Sequence, residues 1–307
     1  MTAAGGKVAW VAADWGTTQL RLWLMAPDAR VLDERRAGCG MATMQPDGYE
    51  PALLGLLADV LPAEGALTVV CCGMAGSRQG WAEAPYAAVP CPPPSSDRAT
   101  RVATADKRLR VYLLPGIRQD DPPDVMRGEE TQIAGVLAAF PGFDGIVCLP
   151  GTHTKWAHVS AGEVVSFRTF MTGELFALLR DGSVLRHAVQ GDGWDDAAFA
   201  AAVSDALSRP AAIAAELFAI RAAALLRDLR PEAARARLSG LLIGIELAAA
   251  RPYWLGQEVR IVGEAGIAGA YRQALAAQGV AAPILPADAM TRGGLLAAHA
   301  SLGERVQ

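Results

Sequence analysis

No stretch of this 307-residue chain reaches the roughly 18–20 uninterrupted apolar residues that cross a bilayer, although 52% of it is apolar. A membrane-spanning helix is therefore not expected. The opening residues, Met1 to Lys7, lack the basic segment and small-residue cleavage site of a secretion signal, so a cytoplasmic protein is expected. Cysteine and histidine are scarce, five and four residues, which leaves little material for a metal centre. Cys71 and Cys72 are adjacent, Cys39, Cys91 and Cys148 are scattered, and no pair has zinc-ligand spacing. Cys71, Cys72 and Cys148 fall in strand-like runs and read as small buried hydrophobes. A formal charge of −4, with no basic stripe interleaved with aromatics, argues against nucleic acid. A Walker loop is also missing, and the Gly-rich run Val262–Gly269 is spaced G-x-x-G-x-x-G, a poor match to a dinucleotide fingerprint.

What is present is a pattern that occurs twice. The apolar run Val8 to Ala13 ends in Asp14-Trp15-Gly16-Thr17-Thr18 and is followed by the alternating run Gln19 to Met25. The apolar run Gly145 to Leu149 ends in Pro150-Gly151-Thr152-His153-Thr154 and is followed by Lys155 to Ser160 and Val164 to Arg168. Each reads as strand, tight turn, strand, turn, strand. Glycine lets backbone N–H groups approach an anion, and threonine adds hydroxyl donors. Two such turns from two related halves suggest a clamp on a polyphosphate.

The remaining chain reads as strands alternating with helices. Strands are expected at Arg30–Arg36, Thr68–Cys72, Val111–Leu114, Val259–Val262 and Pro283–Leu285. Helices are expected at Tyr49–Leu61, Ile133–Phe140, Phe199–Leu229 with a break at Arg209-Pro210, Leu238–Ala250, Gly266–Ala277 and from Thr291 onward. Gly73 to Asp106 and Gly116 to Asp124 read as loops, and the Pro- and Ser-rich Pro90–Ser96 as a surface excursion. Such alternation implies an α/β chain with helix-covered sheets in each half and a ligand between the halves. The halves are placed at 1–131 and 132–307, with the last helix packing back on the first.

Several residues could carry chemistry. Asp14, at a strand end, suits Mg²⁺ beside phosphate oxygens, while an ordinary hairpin turn is the plain alternative. Gly16, Thr17 and Thr18 would form one phosphate turn and Gly151, Thr152, His153 and Thr154 the other. Lys155 adds a point charge or projects to solvent, and His153 reads as a hydrogen-bonding residue of the turn. Glu129 and Glu130 open an apolar helical run, where acidic pairs complement the helix dipole. Their functional reading is a general base for an attacking hydroxyl, with no choice made between them. Gly263 and Gly266 would let backbone approach an adenosine, or simply pack helix on strand. The loop with Gly76, Ser77, Arg78 and Trp81 resembles a wall for a polar organic substrate.

Taken together these segments resemble the sugar kinases of the actin, Hsp70 and hexokinase superfamily, and within it the 2-dehydro-3-deoxygalactonokinase family. The resemblance runs from about residue 8 to 300. It is carried by Ala13–Thr18, Gly76–Trp81 with Ala84–Tyr86, Met126–Gln132, Pro150–Trp156, Phe167–Leu175 and Ser239–Glu246, of which Met126–Gln132 and Phe167–Leu175 are the most specific. It implies a two-lobed actin-like (ribonuclease H-like) ATPase fold, with duplicated mixed sheets flanked by helices and a cleft between the lobes. It further implies phosphorylation of 2-dehydro-3-deoxy-D-galactonate at its 6-hydroxyl, with ATP and Mg²⁺. The substrate carboxylate then calls for a basic residue, for which Arg78, Arg127 and Arg168 are candidates. Related kinases carry an aspartate as base where this chain has Glu129-Glu130.

Two other readings are kept: a kinase for a different sugar or sugar acid, and a non-catalytic ATPase switch of the actin or Hsp70 type. No nucleic-acid or membrane partner is expected. The Ala-rich helices between Phe199 and Leu229 are expected to pack on the sheet, a homodimer being the alternative.

Overall fold

A computed structural model describes residues 6–94 and 96–303. The opening residues read above for a secretion signal, and Ser95 of the Pro-rich excursion, therefore fall wholly or partly outside the described residues. By its internal contacts the chain divides into two units, residues 1–143 with 160–166 and 287–307, and residues 144–159 with 167–286.

In the first unit, β1 (Trp10–Trp15), β2 (Leu20–Met25) and β3 (Val31–Ala37) follow one another as an antiparallel meander. Helix α1 (Tyr49–Leu57) leads to β4 (Leu67–Gly73), which lies parallel to β1. Short strands β5 (Ala87–Ala88) and β6 (Thr100–Arg101) precede β7 (Leu109–Leu113), and β8 (Ile117–Gln119) and β9 (Asp124–Met126) precede α2 (Glu129–Ala139). The main sheet has the order β3-β2-β1-β4-β7-β6, and β5, β8 and β9 form a small separate sheet. The stretches read as loops thus hold short strands, too brief for a periodicity to show. Strand alternation splits β1 cleanly. Val11, Ala13 and Trp15 face α1 residues Leu53 and Leu57, while Trp10 and Ala12 pack with Trp23 and Val70.

The second unit opens with β10 (Gly145–Leu149) and β11 (Thr154–Ser160); β12 (Glu163–Phe170) follows, with residues 163–166 counted in the first unit and the rest in the second, and then α3 (Thr172–Gly182). Helices α4 (Asp196–Ser208), α5 (Ile213–Leu226), α6 (Pro231–Ala249) and α7 (Arg251–Trp254) follow, then β13 (Val259–Gly263), α8 (Ala265–Ala276) and β14 (Ile284–Pro286). The sheet order is β12-β11-β10-β13-β14, with β10 antiparallel to β11 and parallel to β13, and β13 parallel to β14. This is the β3-β2-β1-β4-β7 order of the first unit over again. The repeat seen in the sequence is therefore a duplicated sheet. Every residue of β10 is buried, as its unbroken apolar run requires of a central strand. Helix α4 buries Phe199, Ala202, Val203 and Ala206, whereas α5 leaves Phe218 and Leu226 exposed.

The last described element, α9 (Ala287–Gly303), lies in the first unit against α2. The two helices meet backbone to backbone: a side chain at Gly135 would overlap the Met290 carbonyl, and one at Gly294 the Thr131 carbonyl. That packing keeps residues 132–143, expected with the second half, in the first unit.

Candidate active site

The second repeat turn lines a pocket of about 680 Å³, a volume suited to a nucleotide-sized ligand. All of its lining residues belong to the second unit. Gly151 and Thr152 come from the turn, Thr172 and Gly173 from the start of α3, Ser239 from α6 and Gly266 from α8. Turn and helix are locked together. The Glu174 N–H donates to the Thr152 carbonyl at 2.9 Å, and a side chain on Gly173 would overlap the Gly151 carbonyl oxygen. The first turn of α3 thus abuts the turn, so the positive dipole end of the helix lies beside the turn's own amides, an arrangement that can take an anion. Phe176, carrying Arg235 over its ring at 5.6 Å, and Trp194 add aromatic surface to the same pocket.

The individual residues of the turn differ in what they can offer. Thr152 and His153 are exposed, and His153 Nε2 lies 2.6 Å from Glu174 Oε2. Thr154 is fully buried with its hydroxyl 2.8 Å from that of Tyr271, so it faces inward and not toward a phosphate. Lys155 is buried, its Nζ donating to the His153 carbonyl at 3.3 Å, so it does not project to solvent. Gly266 lines the pocket, while Gly263 ends β13 against Pro150.

The first repeat turn is built the same way. The Gly16 N–H donates to the Gln19 carbonyl at 2.9 Å, and Met41 and Ala42 donate to Gly16 and Thr17. Gly40 presses against Thr17 and Thr18 where no side chain fits, leaving both threonines exposed. Asp14 stands directly opposite Arg21 in the β1–β2 register, and Arg21 Nη2 lies 2.5 Å from Asp14 Oδ2. Arg21 also pairs with Asp288 of α9. Burial pushes the Asp14 carboxyl up, against the opposing pull of Arg21. Among the described residues no group of three or more carboxylate, histidine or cysteine side chains could hold a metal ion. One carboxylate nonetheless suffices for Mg²⁺, which keeps waters and takes phosphate oxygens for its remaining ligands.

Glu129 and Glu130 are the first two residues of α2, after Gly128 at φ +108°. Their environments differ sharply. Glu129 is partly exposed and its Oε2 accepts from the Arg127 N–H at 3.0 Å. Glu130 is fully buried, with Oε2 accepting from the Gly128 N–H at 2.6 Å and Oε1 from the Thr131 hydroxyl at 3.1 Å. Burial, reinforced by the neighbouring Glu129, pushes the Glu130 carboxyl up to about 8.

The loop after β4 folds tightly, with Ser77 donating to Met74, Trp81 to Ala75 and Ala84 to Gly76 through backbone bonds. Trp81 stacks on Tyr49 at 5.9 Å. Arg127 lies over the Tyr86 ring at 4.2 Å and donates from Nη2 to the Ala84 carbonyl at 2.8 Å. Arg127 Nη1 and Ser77 Oγ are buried without a hydrogen-bond partner among the described residues. Gly76 and Arg127 meet closely, since a side chain on Gly76 would meet Arg127 Nη1 at 2.9 Å. Arg78 is exposed at the loop surface, and Arg168 is exposed on β12 and does not line the pocket of the second turn.

The residues that sequence reasoning did not assign are Arg21, Thr172, Gly173, Glu246 and Tyr271. The period-2 alternation of the β1–β2 hairpin could have given Arg21 as the cross-strand partner of Asp14. The others depend on which helices meet the second turn.

A duplicated sheet of this order, with a pocket at the second of two matching Gly-Thr turns, is the actin-like ATPase architecture. A solved activator of 2-hydroxyisocaproyl-CoA dehydratase from Clostridium difficile, with bound ADPNP, has this fold at a TM-score of 0.52 and 10% identity over 97% of each chain. The chain belongs to the 2-keto-3-deoxy-galactonokinase family, whose model matches residues 14–298. It is 43% identical to the probable 2-dehydro-3-deoxygalactonokinase of Rhizobium meliloti (strain 1021), over 97% of this chain and 98% of that one. It is 35% identical to the 2-dehydro-3-deoxygalactonokinase of Escherichia coli (strain K12), over 95% and 98%. A crystal structure assigned to the same activity from Sinorhizobium meliloti superposes with a TM-score of 0.88 at 41% identity, covering 95% of this chain and 99% of that one. The protein is a carbohydrate kinase, and among the described residues no helix is long and apolar enough to cross a membrane.

Proposed function

We propose that this kinase transfers the γ-phosphoryl group of ATP to the 6-hydroxyl of 2-dehydro-3-deoxy-D-galactonate, in the cytoplasm. The names of its full-length relatives support the substrate. The observation that carries the nucleotide side is the pocket in which the 151–154 turn meets the start of α3. There the backbone N–H groups of Gly151, Thr152 and His153, the Thr152 hydroxyl and the α3 N-terminus hold the phosphates, with the nucleoside along α3, α6 and α8. Gly16, Thr17 and Thr18 offer the same kind of donors from the first unit.

Phosphoryl transfer depends chiefly on positioning and charge stabilisation, with a base contributing further. The glutamate pair supplies that base. Glu129 is the member placed to meet a hydroxyl, because it is partly exposed while both carboxylate oxygens of Glu130 are already engaged in the interior. Glu130 holds the start of α2 and so positions its neighbour. Asp14 is the residue to hold Mg²⁺ through its coordinated water, and the ion when bound neutralises charge on the phosphates. Arg127 and Ser77 are assigned to the substrate carboxylate, since each carries a buried polar atom that no group among the described residues satisfies.

A coupled ADP-release assay with Mg²⁺-ATP and a panel of sugars and sugar acids tests this reading. Release that depends on 2-dehydro-3-deoxy-D-galactonate is the expected result. Release driven by a different acceptor would overturn the substrate, and acceptor-independent release would overturn the kinase chemistry.

A further inference from the structure

Glu246 lies on α6, one helical turn beyond Leu242 and Ile243 of the pocket wall, and is itself closed off from solvent. Its carboxylate gathers donors from three other elements. Trp156 Nε1 of β11 donates to Oε1 at 2.7 Å, the Tyr271 hydroxyl of α8 donates to Oε2 at 2.7 Å, and the Thr172 hydroxyl of α3 also donates to Oε2. Because Tyr271 gives its single proton to Glu246, it accepts from Thr154 at 2.8 Å. Thr154 and Thr172 flank the two segments that form the phosphate-facing wall of the pocket. We propose that Glu246 is a positioning residue for nucleotide binding, fixing the 151–154 turn and the first turn of α3 against each other through Tyr271, Thr154 and Thr172.

The physical argument is one of cost. A buried carboxylate needs several well-placed donors merely to offset its desolvation, and an apolar residue of the same size would fill the space with less penalty. Burial pushes the Glu246 carboxyl up to about 7, so the site does not favour the charge for its own sake. What the carboxylate provides is geometry, since two oxygens orient hydroxyls from α3 and α8 and an indole from β11 at once. Each of those elements either lines the pocket or leads directly into it. The proposal rests on the reading that this pocket takes the nucleotide.

The test uses the full chain with ADP as probe in titration calorimetry, together with steady-state kinetics. Glu246→Gln and Tyr271→Phe are each expected to raise the ADP Kd and the KM for ATP by tenfold or more, with the KM for the sugar acid unchanged. The double variant is expected to be little worse than either single one, because both act on one network. Leu57→Ala, in the core of the first unit, is expected to lower Tm and leave the ADP Kd as it was. Should Glu246→Gln not fold, Tyr271→Phe and Trp156→Phe carry the same readout. Wild-type affinity in those variants would overturn the positioning role alone. A wild-type protein that binds no ADP would overturn the nucleotide reading of the pocket with it.

Discussion

The backbone N–H of Gly128 donates to Glu130 Oε2 at 2.6 Å, turning the carboxylate of one glutamate back onto the start of its own helix. The Thr131 hydroxyl occupies the other oxygen. Two adjacent residues of one chemical type thereby take different tasks: Glu130 is built into the interior, and Glu129 is left at the edge of it.

Glu129→Gln is accordingly expected to lower kcat by about 10²–10⁴-fold, the usual worth of a general base, with the ADP Kd unchanged. Glu130→Gln keeps a hydrogen-bonding side chain in place and is expected to cost less in kcat. Single-turnover transfer rates separate the two. A Glu130→Gln variant more damaged than Glu129→Gln would reverse the roles assigned to the pair, and full rates in both would move the base elsewhere.

The raised carboxyls of Glu130 and Glu246 also set the direction of the pH dependence of stability. Their folded-state values, about 8 and about 7, lie above the 4.5 of an unfolded chain, so the folded protein binds more protons between those limits. Their contribution to stability is complete below about pH 4.5 and is lost as pH rises through about 7 and 8. Tm measured from about pH 5 to 8.5 is expected to fall for this reason, and Glu130→Gln, which carries no titrating proton, is expected to flatten the decline. An unchanged slope in that variant would show that Glu130 titrates normally.

Legibility in the sequence followed the range of the interactions. The duplicated strands, both Gly-Thr turns and the Glu129–Glu130 pair were visible because they are local patterns of period and turn chemistry. Helix α3 is not legible as a helix in the sequence, since Met171 at its start offers no side-chain cap and its apolar positions are divided, Leu175 and Leu178 exposed and Phe176 and Leu179 half-buried. The burial of Thr154 and Lys155 was equally hidden. Both follow a turn in sequence, but β11 directs them inward, and that depends on its pairing with β10 and on Tyr271 from α8. Strands β5, β6, β8 and β9 are two or three residues long, below the length at which alternation can be recognised.

Asp14 is the second carboxylate of the proposed site, and its ion pair with Arg21 gives it a distinct signature. Asp14→Asn removes the negative charge next to the first turn and is expected to cut turnover by orders of magnitude and weaken its dependence on Mg²⁺ concentration. Arg21→Leu leaves Asp14 without the guanidinium that opposes the upward push of burial, so the carboxyl should rise further. The acidic limb of the kcat profile is then expected to move to higher pH. Activity of Asp14→Asn near that of the wild type would remove this residue from the metal site.

Gly173 provides the sharpest test of the second turn, because its requirement is steric. A methyl group there would overlap the Gly151 carbonyl oxygen and approach Thr152 Cα at 3.0 Å, and both neighbours are backbone that has no rotamer to yield. Gly173→Ala must therefore separate α3 from the turn, and the 2.9 Å bond from Glu174 to Thr152 with it. An ADP affinity weakened by roughly tenfold or more is expected, each tenfold corresponding to about 1.4 kcal/mol. Gly182, the last residue of the same helix, has open space where a side chain would go, so Gly182→Ala is expected to leave ADP binding intact and stability within about 1 kcal/mol of wild type. The comparison holds helix and chemical change constant and varies only the contact with Gly151. Equal affinity in the two variants would mean that the phosphate-binding geometry does not depend on how closely α3 meets the turn.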